Sequence, residues 1–333
     1  AGDAGEGGAL GASGAAVSKD PVDLLSPDIA AVLASKRRWA IVRGESLRLL
    51  RAMPDACADA AITDSPYSSG GQYRGDRVQD VASKYQKTGQ ILQRADFAGD
   101  GRDGRAFGYW TALWCSELLR ICKTGSPICL FTDWRQIATT IDAMQAGGWV
   151  YRGITPWDKT EGCRPVQGRF MAQCEYVVWG SAGPMPMDRN VGCLSGVART
   201  LESARPLDSE IEEARLYLQQ LEAEREAQLR GFQVSVRNFP KPSEKNHMTS
   251  KTPSTMEPIV RICEPGGVII DPFFGGGSTG VAALRGGYRV IGFEITEVNH
   301  AAAVTAMHAE EATLKPADIE SGRQVGLFER IKA

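Results

Sequence analysis

Short apolar runs alternate along this chain with stretches in which apolar residues recur every three to four positions. The runs at 39–42, 58–63, 127–131, 149–154, 175–179, 268–270 and 288–293 predict strands, and the spacing over 111–122 and 135–146 predicts helices between them. Strands that read as apolar on both faces, alternating with helices, predict an α/β fold: a doubly wound, mainly parallel sheet with helices on both sides. Ahead of the first strand, Leu24, Leu25, Ile29, Val32 and Leu33 keep helical spacing, so ordered structure is expected to begin between Pro21 and Ser35.

Three segments break this rhythm. The first 16 residues hold six Ala and six Gly, too little apolar surface to offset ordering, so residues 1–20 are expected to be a flexible arm. Residues 68–105 are polar and glycine-containing, with seven basic residues and five Asp, and are expected to form a mobile loop. Residues 181–246 are irregular except for one helix expected at 209–230. Ser209 and Glu212 form a capping box there, Gly231 supplies the stop, and Ile211, Ala214, Leu218 and Leu221 form an apolar stripe. Its many acids make it a poor match for phosphates. Packing on its own domain and contact with a second subunit, as in a homodimer, both fit it.

Composition narrows the class. Thirty-eight Lys and Arg against 40 Asp and Glu give a net charge of −2, which excludes a generally cationic nucleic-acid coat protein but not a local basic groove. No apolar run approaches the ~20 residues that span a bilayer, and no basic-then-apolar leader pattern opens the sequence. Eight cysteines without a CxxC pair, beside three histidines, predict small core residues in a reducing cytoplasm and no metal site.

Two stretches carry chemistry. In Val268-Ile269-Ile270-Asp271-Pro272-Phe273-Phe274-Gly275-Gly276-Gly277-Ser278-Thr279-Gly280 a buried strand runs into a glycine-rich turn and then a helix. Glycines let the backbone turn sharply and approach a ligand at the carboxyl end of a strand. The following strand ends at Glu294, an acid placed to accept ribose hydroxyls, so a nucleoside-containing cofactor is expected. In the second stretch a strand at 60–63 ends in Asp64-Ser65-Pro66-Tyr67. That segment offers a carboxylate and a turn carbonyl to an amino group, and a ring to stack on a flat base. On its own it also reads as an ordinary Asp-Ser-Pro turn with a core tyrosine.

Taken with Gly44-Glu45-Ser46 and His247-Met248-Thr249-Ser250-Lys251, these segments resemble the DNA amino-methyltransferases that use S-adenosylmethionine. The order of motifs is similar to the permuted (beta) subgroup, in which the catalytic motif precedes the cofactor motif. The resemblance covers roughly residues 36–180 and 247–310. It implies a Rossmann-like methyltransferase sheet with an inserted target-recognition region. It further implies that Asp271, Phe273, Gly275 and Gly277 wrap the methionine part of the cofactor, that Ser278 also binds the cofactor, that Glu294 holds the ribose, and that Glu45 lies near the adenine. Thr249 and Lys251 would close the other side of the cofactor pocket. Asp64, Ser65, Pro66 and Tyr67 would receive the amine. Members of the family usually carry Pro where this chain has Ser65, and Asp where it has Glu45.

On this resemblance the chain divides into an arm at 1–20, a catalytic half at 21–157, a target-recognition region at 158–246 and a cofactor half at 247–333. Lys159, Arg164, Arg169, Arg189, Arg199 and Arg237 fall in the third segment as candidate DNA contacts, each equally readable as a surface charge. The implied reaction is methylation of a flipped base in double-stranded DNA, by the modification half of a restriction system or by an orphan enzyme of a prokaryote or phage. Motifs that open with Asp go with adenine N6, and the alternative is cytosine N4. A ring-carbon cytosine enzyme would need a Pro-Cys nucleophile, which the sequence lacks. Two other classes remain on the glycines alone: a non-catalytic nucleotide- or DNA-binding module, and a dinucleotide oxidoreductase, because residues 275–280 also satisfy Gly-x-Gly-x-x-Gly.

Overall fold

The computed structural model describes residues 26–67, 102–159, 172–199 and 251–314, with the single positions 168 and 170. The expected arm at 1–20, most of the expected loop at 68–105, the helix expected at 209–230 and Thr249 lie outside the described residues.

In chain order the elements are α1 (Pro27–Leu33), β1 (Trp39–Arg43), α2 (Ser46–Arg51), β2 (Ala60–Thr63), α3 (Gly104–Ile121), β3 (Pro127–Thr132), α4 (Ile137–Ala146), β4 (Val150–Asp158), β5 (Cys174–Ser181), β6 (Ala198–Arg199), α5 (Pro253–Val260), β7 (Val268–Asp271), α6 (Ser278–Arg285), β8 (Arg289–Glu294) and α7 (Glu297–Thr313). The eight strands form one sheet in the order β1-β8-β7-β2-β3-β5-β4-β6. Neighbours from β1 to β3 run parallel, while β5 is antiparallel to both β3 and β4. All seven predicted strands are present, and the two-residue β6 is an addition that sequence periodicity is too coarse to reveal.

Alternate residues of each central strand enter different cores. Ala61, Ile128, Leu130, Val268 and Ile270 face α1 to α4, packed with Ile29, Val32, Leu50, Trp114, Leu118 and Met144. Ala60, Ile62, Cys129, Phe131 and Ile269 face α5 to α7, packed with Met256, Ile259, Val281, Leu284, Ala303 and Met307. The sheet is therefore covered on both faces, as its continuous apolar strands demand.

Two boundaries differ from expectation. Helix α3 begins at Gly104, not near 111, because Asp103 caps it by accepting from the Arg105 amide (3.3 Å) and Phe107 is already buried. Glycines at 104 and 108 weaken the helical signal there, but a Cβ at Gly108 would lie 3.0 Å from Thr139, so α3 and α4 approach closely at that point. The last residues of the expected loop 68–105 thus belong to a helix. Strand β4 runs on through Pro156 to Asp158, four residues past its predicted end. Proline lacks an amide donor, and β4 tolerates it because its outer neighbour β6 pairs only with Trp157 and Asp158.

The segment 158–246 also begins inside the sheet: Asp158 ends β4, and β5 is hydrogen-bonded between β3 and β4. Among the described residues no helix is long and apolar enough to cross a membrane, and no group of His, Cys, Asp and Glu is arranged to hold a metal. The described cysteines are all free.

Candidate active site

Strands β1, β8, β7, β2 and β3 all end at the same edge of the sheet, and four of these ends carry or lead into an acid: Glu294, Asp271, Asp64 and Asp133. The chain order reverses between β7 and β2, the crevice where open α/β sheets take ligands. The two motifs that sequence placed some two hundred residues apart meet there. Thr63 Oγ1, at the end of β2, donates to Asp271 Oδ1 at the end of β7 (2.6 Å).

Asp271 is buried, and its Oδ1 also accepts from the Phe273 amide (3.0 Å), which fixes the start of the turn. Burial raises its carboxyl to about 6, against hydrogen bonds from Thr63, Thr279 and the Phe273 amide that favour the charged form. Beyond it, Gly275 (φ 52°) and Gly277 (φ 92°) take left-handed conformations that favour glycine. A Cβ at Gly275 or Gly276 would meet none of the described residues within 4 Å, so among them the turn leaves open space on its outer side. Behind the turn the packing is tight, because a Cβ on Gly280 or Gly292 would come within 2.3 Å of the Phe274 ring. Phe274 is a packing residue, while Phe273 rests on Trp110 and Trp114 of α3 at ring distances of 5.1 and 5.4 Å.

Glu294 is buried at the end of β8 and pins the turn: its Oε2 accepts from the Gly275 amide (2.9 Å) and its Oε1 from the Thr296 amide and hydroxyl (both 2.8 Å). A carboxylate has about four acceptor sites, so one, on Oε2, is left for a ribose hydroxyl. Glu45, at the same edge beyond β1, caps α2 through the amides of Leu47 (3.1 Å) and Arg48 (2.7 Å). Ser278 starts α6, and its hydroxyl donates to the Lys251 carbonyl, which ties the turn to the segment entering α5.

The Lys251 side chain departs from expectation. It does not face the glycine turn but lies buried in the slot of the second motif, where Nζ donates to Asp64 Oδ2 (2.8 Å) and pairs with Glu175 Oε2 (3.0 Å). Nζ also lies 3.4 Å from the Tyr67 hydroxyl and 5.3 to 5.6 Å from the ring centres of Phe131, Trp157 and Tyr67. Tyr67 in turn donates to Glu175 Oε2 (3.2 Å), and Lys159 Nζ donates to Glu175 Oε1 (3.1 Å). Ser65 is buried beside them.

The electrostatics follow from this crowding. Burial pushes the Asp64 carboxyl above its usual range, against the pull of Lys251 and with the repulsion of Glu175 added. Burial would likewise raise Glu175, but Lys251 and Lys159 outweigh it and hold the group at about 2. Burial alone would strip the proton from Lys251, yet Asp64 and Glu175 keep it an ammonium well above the ordinary lysine range. Burial also holds the Tyr67 phenol in its neutral form. Asp64 Oδ1 is the exception to this pairing: it is buried and accepts no hydrogen bond among the described residues. A buried acceptor without a donor is costly unless a ligand supplies one.

Sequence reasoning missed Glu175 and Thr63, and named Lys159 only as a candidate DNA contact. Among the expected DNA contacts, Lys159 pairs with Glu175, and Arg189 is an internal tie to Glu264 (2.8 Å) and the Ile262 carbonyl (2.6 Å). Arg164, Arg169 and Arg237 lie outside the described residues. A separate cavity of about 690 Å³ between β4, β5 and α5 contains none of the expected catalytic or cofactor residues.

A family model described as DNA methylase, for N6 and N4 methyltransferases, matches residues 58–305, which span β2, the glycine turn and everything between them. The chain belongs to this DNA methylase family. Among curated members it is 22% identical over 275 residues to YubD of Escherichia coli (strain K12), assigned by name to the methylases, covering 82% of this chain and 92% of YubD. It is 24% identical over 262 residues to the type II methyltransferase M.HinfI of Haemophilus influenzae, covering 76% of this chain but only 64% of that protein's length. The solved PvuII DNA methyltransferase, titled cytosine-N4-specific, superposes with a TM-score of 0.48 at 14% identity, over 84% of this chain and 88% of that one.

Proposed function

We propose that this DNA methylase transfers a methyl group from S-adenosylmethionine to the exocyclic N6 of an adenine flipped out of duplex DNA. The observation that carries the reading is the buried Asp64 Oδ1, which has no donor among the described residues and follows the strand next to the one that leads into the glycine turn. The family's methyl donor, S-adenosylmethionine, supplies an electrophilic methyl group on a sulfonium. The open space over Gly275 and Gly276 fits a ligand that must approach the backbone closely.

An exocyclic amine is a poor nucleophile because its lone pair is delocalised into the ring. Asp64 Oδ1 and the Ser65 carbonyl would accept its two hydrogens and turn the lone pair toward the methyl group. When the nitrogen gains the methyl it releases one proton, which Asp64 Oδ1 is placed to take; burial, by raising that carboxyl, suits it to the task. Tyr67 would stack on the flipped base. Asp271 and Glu294 act by shaping and holding the turn, Glu45 by fixing α2 beside it, and Phe273 by packing the turn on α3. Thr249 would close the other side of the cofactor pocket, while the Lys251 side chain serves Asp64. In this reading the two motifs stand in permuted order, and the DNA lies across the carboxyl edge of the sheet.

Cytosine N4 is the second reading, favoured by Ser65 in place of the usual proline and by a family that spans both amines. Both amines offer Asp64 the same donors, so the choice falls to the size of the slot. The reading is tested by transfer of labelled methyl from S-adenosylmethionine to unmethylated genomic DNA. Label should enter DNA with the wild-type chain and not with Asp64→Ala, while a nicotinamide cofactor should not bind. Binding of a nicotinamide cofactor without methyl transfer would reverse the assignment.

A further inference from the structure

We propose that Glu175 is a positioning residue of the catalytic slot, holding Lys251 and Tyr67 so that one oxygen of Asp64 stays open to the amine. The inference rests on the role given to Asp64 above. Glu175 is the second residue of β5, paired with Trp157 of β4, and from the next residue, Tyr176, the strand is also paired with β3, so its carboxylate is delivered to the slot on a rigid support. One oxygen, Oε2, accepts from both Tyr67 (3.2 Å) and Lys251 (3.0 Å), while Oε1 accepts from Lys159 (3.1 Å).

An ammonium has three donors, and Lys251 directs them at Asp64 Oδ2, Glu175 Oε2 and the Tyr67 hydroxyl. Sharing is the point of this arrangement. Without Glu175 the buried ammonium would have a single carboxylate as partner and would swing to bridge both oxygens of Asp64, which closes Oδ1. Tyr67 would lose the acceptor that fixes its ring beside the slot. With Glu175 and Lys159 present, Asp64, Glu175, Lys251 and Lys159 form a group of two negative and two positive charges.

The charged groups facing this network are Asp64 after β2, Asp133 after β3, Lys159 after β4, Lys251 before α5 and Asp271 from β7; Asp133 feels Glu175, and Asp271 feels Asp64. Removing the charge of Glu175 therefore leaves Lys251 to act on Asp64 unopposed. Asp64 then becomes a weaker base, and the acid limb of the rate, where Asp64 takes up its proton, moves to lower pH.

The test is single-turnover methyl transfer to unmethylated genomic DNA as a function of pH, together with cofactor affinity, for the full chain and for Glu175→Gln and Asp64→Ala. Glu175→Gln should lower the rate by about 10- to 100-fold, leave cofactor affinity unchanged, and move the acid limb down by about one pH unit. A wild-type rate, or a reduced rate with the acid limb unmoved, overturns the proposal if Asp64→Ala is inactive. An active Asp64→Ala instead overturns the reading of Asp64 itself, so the two failures are distinguishable. If Glu175→Gln does not fold, Tyr67→Phe removes the hydroxyl's contacts to Glu175 and Lys251 and keeps the ring. It should lower the rate at unchanged cofactor affinity, and a wild-type rate in that variant contradicts the proposal.

Discussion

Asp64 and Asp271 end neighbouring strands and are both raised by burial, yet their surroundings divide the work between them. Asp271 is enclosed by Thr63 and the turn amide, whereas Asp64 keeps one oxygen with no donor among the described residues. Asp64→Ala should therefore cut methyl transfer by about 10²- to 10⁴-fold while cofactor binding survives, and Asp271→Ala should weaken cofactor binding first. Cofactor titration beside rate measurements separates the two; equal loss of binding in both variants contradicts the division.

Asp271 also makes a stability prediction. Its folded value of about 6 lies above the unfolded value of 3.8, so the unfolded chain releases this proton first as pH rises. Stability is lost between about pH 4 and 6, and the deficit, of order 3 kcal/mol, persists above that range. Asp271→Asn keeps an acceptor for Thr63 and the Phe273 amide without the charge. Thermal melts should show this variant more stable than wild type at pH 7.5 and level with it at about pH 3.5. A parallel pH dependence in the two proteins would mean that Asp271 is not the group responsible.

At the scale of elements, the glycine turn has an open side and a packed side, and the two can be separated by substitution. Gly276→Ala adds a methyl where none of the described residues lies within 4 Å and φ is ordinary, so the melting temperature should hold while cofactor affinity falls. Gly280→Ala drives a methyl to 2.3 Å from Phe274 and 2.6 Å from Met307, and should cost about 1–3 kcal/mol of stability. Unchanged cofactor affinity in Gly276→Ala would show that the open side is not the cofactor's.

This turn was legible in the sequence because strand, glycines and helix are contiguous, and so was Asp64, at the end of an apolar run. Glu175 was not, since a glutamate near the start of a strand carries no periodic mark of its task. Lys251 was placed by resemblance on the cofactor side, but its side chain reaches Asp64 because two carboxylates there stabilise a buried ammonium. Only the fold brings those residues together. Helix α3 and strand β4 were cut short for local reasons, the glycines at 104 and 108 and the proline at 156.

Across the whole molecule, five parallel strands direct their ends to one edge, and chain reversal between β7 and β2 sets the amine slot beside the turn. Their continuous apolar character made this layered arrangement predictable, while the antiparallel β5, which brings Glu175, depends on pairing that sequence does not display. The central claim is that this edge methylates an exocyclic amine of DNA, and that the amine is adenine N6. Unmethylated genomic DNA treated with the purified chain and S-adenosylmethionine, digested to nucleosides and analysed by mass, tests it directly. The account predicts N6-methyladenine; N4-methylcytosine as sole product contradicts the choice of base, and the absence of any methylated nucleoside contradicts the account itself.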